Sequence, residues 1–326
     1  MEPRYPGNEM IKTHRIIAQA VILVMCGSAP ARAWNDHGHM TIAAAAYQQL
    51  TQETKDRADA LLRLNPDRKN WLRSIPAGTS AAKTNMMIFM IASTWPDRIK
   101  DDPYYHSDGS GGGDRPPADG TADNNIGYSD LARHKYWHFI DRPFTQDGSA
   151  LPEVPVPNAQ TQITDFRAAI ASTGSSDELK SYDLCWLLHL VGDVHQPLHC
   201  ATRVSAETPD GDDGGNRVKL SGFDKNLHAF WDDVLGRGSL PATAISAADA
   251  LPAAPADAGS DVNVQHWVDE SFNAAISTVY MNPPIGDGKG PFNLSRSYIV
   301  AARKLARERA ALAGARLAKI LNNELK

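Results

Sequence analysis

The sequence predicts a mainly α protein: a single globular multi-helix domain with one small β-hairpin. Three observations lead there. Several segments are long enough to be helices, notably 160–172, 178–194, whose apolar run from Leu184 to Val194 has the length and leucine content of a buried helix, and 295–321 with its leucine-bearing face. Only one short run, 217–220, alternates like a strand, and Gly214-Gly215-Asn216 before it and Ser221-Gly222 after it suit a hairpin. No internal repeat divides the 326 residues, a length that gives one large domain a sizeable core.

Taken in order, Trp34-Asn35-Asp36-His37-Gly38-His39 leads into a helical run at 40–50, and 51–65 continues as an amphipathic helix with its charges on one face. Residues 85–93 are apolar and run into Thr94-Trp95-Pro96-Asp97. The polar stretch 101–128, with Gly109 and Gly111–Gly113, has no periodicity; a loop of that length is mobile or functional. Residues 134–144 hold Tyr136-Trp137-His138-Phe139-Ile140-Asp141, and a connector with Pro152, Pro155 and Pro157 follows. Helix returns at 227–234. The Ala/Pro-rich stretch 238–260 reads as a surface loop, and 264–280 and 295–321 close the chain as long helices.

Residues 1–33 have the three parts of a secretory signal: basic Lys12 and Arg15, an apolar run at 16–25, and Ala31-Arg32-Ala33 as the cleavage site. The expected organisation is therefore a leader over 1–33 and one domain over 34–326, secreted or periplasmic after cleavage between Ala33 and Trp34. No later stretch approaches the roughly 18 apolar residues of a membrane span, so no stable membrane association is expected. The leader carries a net +2, and its removal takes the chain from −5 to −7. That balance argues against coating duplex nucleic acid with a broad basic face, although bound metal could still attract phosphate locally. Beyond Cys26 in the leader, Cys185 and Cys200 stand most of a helix apart. At about 1.5 Å per residue they are separated by roughly 20 Å, too far to bridge.

The chemistry concentrates in Trp186-Leu187-Leu188-His189-Leu190-Val191-Gly192-Asp193-Val194-His195-Gln196-Pro197-Leu198-His199. On a helix His189 and Asp193 are i and i+4 and project from one face, and Pro197 stops the helix and throws His199 to its end. One such pair is ordinarily a hydrogen-bonded core couple. A second, His228 and Asp232, with His199 to spare, points to a polynuclear metal site. Asp97 after Trp95-Pro96 and His138 in its aromatic strip repeat the theme. Burying so many ionisable groups is costly unless they coordinate cations, and imidazole with carboxylate but no thiolate suits catalytic zinc.

In order along the chain stand Trp34, Gly-His at 38–39, Trp-x-Asp at 95–97, His-Phe-Ile-Asp at 138–141, His-x-x-Gly-Asp with Gln-Pro-Leu-His at 189–199, Gly-Gly-Asn at 214–216, and Asn-Leu-His-x-x-Trp-Asp at 226–232. Together they resemble the three-zinc, single-strand-specific nucleases of the S1/P1 type, distant relatives of bacterial zinc phospholipase C. The motifs cover Trp34 to about Asp233, and the C-terminal helices match by size alone. The resemblance implies the phospholipase C/nuclease fold and three Zn²⁺ per chain. Asp97, His138, His189 and Asp193 would hold the first ion, and His199, His228 and Asp232 the second. His39, a shared oxygen of Asp193, and the α-amino and carbonyl groups of Trp34 would hold the third. Asp97 and Asp193 would be catalytic, Asp97 orienting the attacking water. Lys100, matching a basic position used on phosphate, is as readily an exposed lysine. Phe139 and Asp141 match a base pocket, where stacking requires an unstacked base and so favours single strands. Asn216 would contact substrate or brace a ligand.

The activity so implied is hydrolysis of single-stranded DNA and RNA to 5′-phosphate products by a monomer, together with removal of phosphate from 3′-nucleotides. Three Zn²⁺ against three ligand carboxylates would leave the pocket at about +3, able to recruit phosphodiesters to an acidic protein. Two features depart from the relatives: Asp233 stands where they often carry a neutral residue, and the loop at 101–128 is long. Two alternatives differ in readable ways. A phospholipase C of the same superfamily usually ends its ligand set in His-x-x-x-Glu, whereas Asp232 stands here. A periplasmic zinc-binding protein would favour exposed histidine tracts rather than dispersed ligands framed by aromatics.

Overall fold

The computed structural model describes residues 34–222 and 226–325; the leader expected over 1–33 lies outside them. Among the described residues twelve α-helices follow in chain order as α1 Asp36–Gln49, α2 Gln52–Leu62, α3 Arg68–Arg73, α4 Ala81–Ala92, α5 Trp95–Arg98, α6 Ala159–Ala171, α7 Asp177–Asp193, α8 Leu227–Asp233, α9 Pro241–Asp249, α10 Ala256–Ser260, α11 Val264–Ala274 and α12 Arg296–Glu324. Their starts are written locally. Asn35, Thr51, Asn158, Ser176, Asn226, Asn263 and Ser295 each accept a backbone N–H of the first turn, an interaction worth about 1 kcal/mol per helix.

Helix α7 runs through the core. Every residue from Lys180 to Asp193 is buried, which explains why no amphipathic face shows in its sequence. Helix α1 presents Ala43, Ala44, Ala45 and Ala46, all buried, to its neighbours. Small residues let helices approach closely, and Gly314 of α12 shows how closely: a Cβ there would sit 2.9 Å from the Cβ of Ala45. Two apolar clusters result. One gathers Trp95, Trp137, Trp186 and Phe166, the other Trp34, Trp231, Tyr280 and Tyr298; α1 and α12 contribute to both. Burying a large apolar side chain contributes about 1.5–3 kcal/mol, so these clusters hold the elements that carry the polar centre. Among the described residues no helix is long and apolar enough to cross a membrane.

The mainly α reading holds, but the small β element lies elsewhere than expected. Strands β1 Pro143–Thr145 and β2 Thr202–Val204 pair in parallel, Pro143 opposite Thr202 and Thr145 opposite Val204. A parallel pair needs a long crossover, here supplied by α6 and α7. Among the described residues the run 217–220 forms no hairpin ladder. Lys219 makes one antiparallel bridge to Asn226, while the N–H groups of Lys219 and Ser221 donate to the carbonyls of Lys289 and Phe292. A distant segment thus takes these two N–H groups, while the Val218 carbonyl accepts from Leu227. Residues 238–260 are also not simply a loop. They contain α9 and α10, because alanine favours helix and Pro241 suits a first turn. The expected helix at 264–280 is α11 followed by a π-helical turn, Ala275–Val279. The long loop after Lys100 does lack regular structure apart from 3₁₀ turns at Gly111–Gly113 and Gly127–Ser129.

Candidate metal centre

The i, i+4 spacing on α7 places His189 Nε2 3.2 Å from Asp193 Oδ2. Ser93, at the end of α4, accepts a hydrogen bond from His189 Nδ1 at 2.7 Å, which leaves Nε2 with its lone pair turned to the centre. His138 ends the 3₁₀ turn Lys135–His138, packed edge-on against Trp186. Its Nδ1 lies 2.9 Å from His189 Nε2 and 3.2 Å from Asp193 Oδ2. Asp97 reaches the same point from α5, its Oδ1 3.7 Å from His189 Nε2 and 3.8 Å from His138 Nδ1.

His39 of α1 stacks on His189 with ring centroids 3.8 Å apart and holds Nε2 3.3 Å from Asp193 Oδ1. Gly192 makes room for this ring, since a Cβ there would stand 3.0 Å from His39 Nδ1. Its carbonyl accepts from the indole of buried Trp34 at 3.0 Å. Asn35 ties this first turn to the end of α8. Its side chain donates to Asp233 and to the Gly236 carbonyl, and its N–H donates to the Asp232 carbonyl. The unusual Asp233 therefore anchors Asn35, the neighbour of Trp34.

A second group forms beside the first. His199 Nδ1 donates to the carbonyl of His138 and His228 Nδ1 to that of Gly214, both at 2.7 Å, and the two Nε2 atoms meet at 3.1 Å. Asp232 Oδ2 is 3.7 Å from His228 Nε2, while Gln196 donates to its Oδ1 at 2.8 Å. Three sets of residues thus each bring their ligand-type atoms within 4.8 Å of one another: His39/Asp97/His189, His138/His189/Asp193 and His199/His228/Asp232. Sharing of His189 joins the first two sets into one cluster.

These residues are almost fully buried. Burial, with His189 next, pushes His39 down to about 3; burial also pushes His189 and His228 down to about 4. Burial likewise holds His138 and His199 well below the ordinary range, and raises Asp193 and Asp232 well above theirs. For Asp97 burial acts upward too, but Lys100, then His189 and His39, outweigh it and keep the carboxyl low. Neutral imidazoles are the ligating form. Both ring nitrogens of His39, His138 Nε2 and Asp193 Oδ1 are buried without a hydrogen-bond partner among the described residues. Buried ligand-type atoms left without a hydrogen bond fit a site that binds cations. The thiols do not join them. Cys185 and Cys200 are buried and unpaired, both pushed up to about 12 by burial.

The remaining candidates fall in different surroundings. Lys100 is not an exposed lysine: it is buried, with Nζ 2.7 Å from Asp97 Oδ1. Phe139 and Asp141 line one small cleft with Asp114, Pro116, Tyr136 and Asn158. The cleft adjoins the second group, because Ile140 N–H donates to the His199 carbonyl at 2.8 Å. Asp141 has the left-handed φ of 51°, and burial, with Asp213, Asp212 and Asp114, raises it to about 7. Asn216 donates to the Asp213 carbonyl and accepts from Asn226, bracing the glycine loop against the cap of α8. Sequence reasoning missed Gln196, although its fixed place before Pro197 was the available signal. It also missed the carbonyls that orient His189, His199 and His228, for which no signal exists because every residue carries one. His195, within the same motif, faces away and is met by Arg316.

A family model described as S1/P1 nuclease matches residues 34–326. The chain is also similar to Endonuclease 3 of Arabidopsis thaliana, at 24% identity over 316 residues that cover 89% of this chain and 88% of that protein. Endonuclease 4 of the same plant is 27% identical over 176 residues, 47% of this chain and 55% of that protein.

Proposed function

The chain belongs to the S1/P1 nuclease family and is a nuclease, and from that premise we propose that it is a three-zinc phosphodiesterase. It cleaves single-stranded DNA and RNA to 5′-phosphate products and removes phosphate from 3′-nucleotides. The observation that carries this reading is the convergence of buried, neutral imidazoles and carboxylates into three sets of ligand atoms. Asp97, His138, His189 and Asp193 would hold one ion, His199, His228 and Asp232 another, and His39 with Asp193 and Trp34 a third. Bound zinc would supply Lewis acidity toward phosphate and a lowered pKa for water.

The chain's own groups do the rest. Backbone carbonyls keep the imidazoles in the tautomer that offers Nε2 inward at His189, His199 and His228. Asp97, held ionised by Lys100, orients the water for in-line attack, and Lys100 adds positive charge for the phosphate. Phe139 stacks on one base and Asp141 takes hydrogen bonds at its edge, which a paired strand could not allow. Export follows from the leader, and cleavage before Trp34 would free its α-amino group to ligate. The mature protein acts outside the cytoplasm as a monomer.

The test is a parallel assay of the purified mature chain on single-stranded DNA, RNA, a 3′-mononucleotide and phosphatidylcholine, with zinc counted by mass spectrometry. We expect three zinc per chain and turnover of the first three substrates. Turnover of the lipid alone, or full activity with fewer ions, overturns the reading.

A further inference from the structure

The loop that follows Lys100 returns to the centre just ahead of the Lys135–His138 turn, and His134 stands between its ends. The imidazole is buried, stacked on Trp137 with centroids 3.5 Å apart and edge-on to Trp186. Its Nδ1 lies 2.7 Å from Asp108 Oδ2 and its Nε2 2.9 Å from Asp130 Oδ2. A neutral imidazole has one N–H and would turn a lone pair on one of these carboxylates; only the imidazolium can donate to both. The other polar groups facing the ring reinforce the arrangement. Tyr136 donates to Asp108 Oδ2 at 2.7 Å, Tyr182 approaches Asp130 Oδ2 at 3.4 Å, and the His134 N–H donates to Asp108 Oδ1 at 3.0 Å. The backbone of His134 is itself left-handed, with φ 41°, a conformation that persists in a non-glycine residue only where its surroundings over-determine it.

Between the two aspartates the loop carries Asp114 and Pro116 into the wall of the cleft that holds Phe139 and Asp141. Lys135, next to His134, donates to the Gly112 carbonyl at 2.9 Å and so ties the tip of the loop to the same turn. We propose that His134, as an imidazolium gripped by Asp108 and Asp130, is a positioning residue that fastens the 108–130 loop and thereby sets the Asp114–Pro116 wall of the substrate cleft. This rests on reading that cleft as the place where a base binds. The sign of its pH dependence follows. Burial opposes the charge, but the hydrogen bonds and charges of Asp108 and Asp130 outweigh it and raise His134 above its ordinary 6.5. The fastening is complete below that ordinary value and is lost as pH rises through the raised one.

The experiment uses the zinc-loaded mature chain. Nitrogen NMR of labelled histidine should find both His134 ring nitrogens protonated at pH 6.5, and a neutral tautomer there overturns the proposal. His134→Gln and Asp130→Asn should each speed proteolysis within 108–130. They should also raise KM several-fold for a single-stranded trinucleotide. Zinc content and kcat on bis(p-nitrophenyl) phosphate, which has no base, should not change. Asp130→Asn should also move the alkaline rise in KM to lower pH. Equal losses on both substrates, or lost zinc, would show a general folding role and overturn the positioning one. If Phe139→Ala leaves KM unaltered, the base-cleft reading fails while NMR and proteolysis still decide whether the loop is fastened.

Discussion

Two helices of this nuclease carry the same His-x-x-x-Asp spacing and treat the aspartate differently. At the end of α7, both oxygens of Asp193 face imidazoles. Oδ2 lies 3.2 Å from His138 and from His189, and Oδ1 lies 3.3 Å from His39 with no hydrogen bond. On α8, one oxygen of Asp232 is taken by Gln196 and the other faces His228. Under the proposed function, equal spacing would therefore make a bridge between two ions in one case and a single-ion ligand in the other. What decides is the neighbour across the fold: a stacked histidine on α1 for Asp193, a glutamine amide for Asp232.

The contrast is broken or upheld most directly by removing each charge. Asp193→Asn should lower turnover by more than about 100-fold and release more than one zinc per chain, whereas Asp232→Asn should release one. Equal zinc loss in the two variants, measured by mass spectrometry, would erase the distinction. A gentler change tests the amide. Gln196→Ala should weaken zinc at the His199/His228/Asp232 set by about 10–100-fold in chelator competition while the other set keeps its affinity. Uniform weakening would mean that Gln196 supports the whole turn instead.

Smaller effects lie further from the two pairs. Phe139→Ala should weaken single-strand binding by about 1–3 kcal/mol with no change in zinc content. An unaltered KM on every oligonucleotide would make the ring part of the core. The smallest effect concerns the support behind the turn that links the pairs. Arg309 donates to the His195 carbonyl and Arg316 meets His195 Nε2, and both guanidinium groups bind Glu270. Burial would raise Glu270, but its hydrogen bonds to Arg316 and Arg309 prevail and lower it from 4.5 to about 2. A depressed carboxyl contributes stability that is present above its unfolded value and lost as pH falls through the folded one. Glu270→Gln should therefore lower Tm modestly at pH 6, with the difference from the parent shrinking from pH 4.5 and gone near pH 2. A difference that persists in acid would assign the effect to packing.

The sequence by itself determined the helices that frame the centre, though not α9 and α10, and the residue types of the centre. Helical period, capping residues and the i, i+4 spacing of His189 with Asp193 and of His228 with Asp232 are relations between near neighbours, and near neighbours are what a sequence prints. The order of its motifs even identified the family. Tertiary structure decided the rest. It brought α1, α5, α7, α8 and the 3₁₀ turns Lys135–His138 and Pro197–His199 to one point and buried Lys100 against Asp97 rather than leaving it in water. It also gave the N–H groups of Lys219 and Ser221 to a segment some seventy residues away, while the small sheet formed as a parallel pair between other strands. The reason is common to all three. A carbonyl, an amide edge or a neighbouring charge is available almost anywhere along the chain, and which of them meets a given side chain depends on packing between distant elements. The difference between Asp193 and Asp232 is of that kind, since the spacing that made both visible is the same.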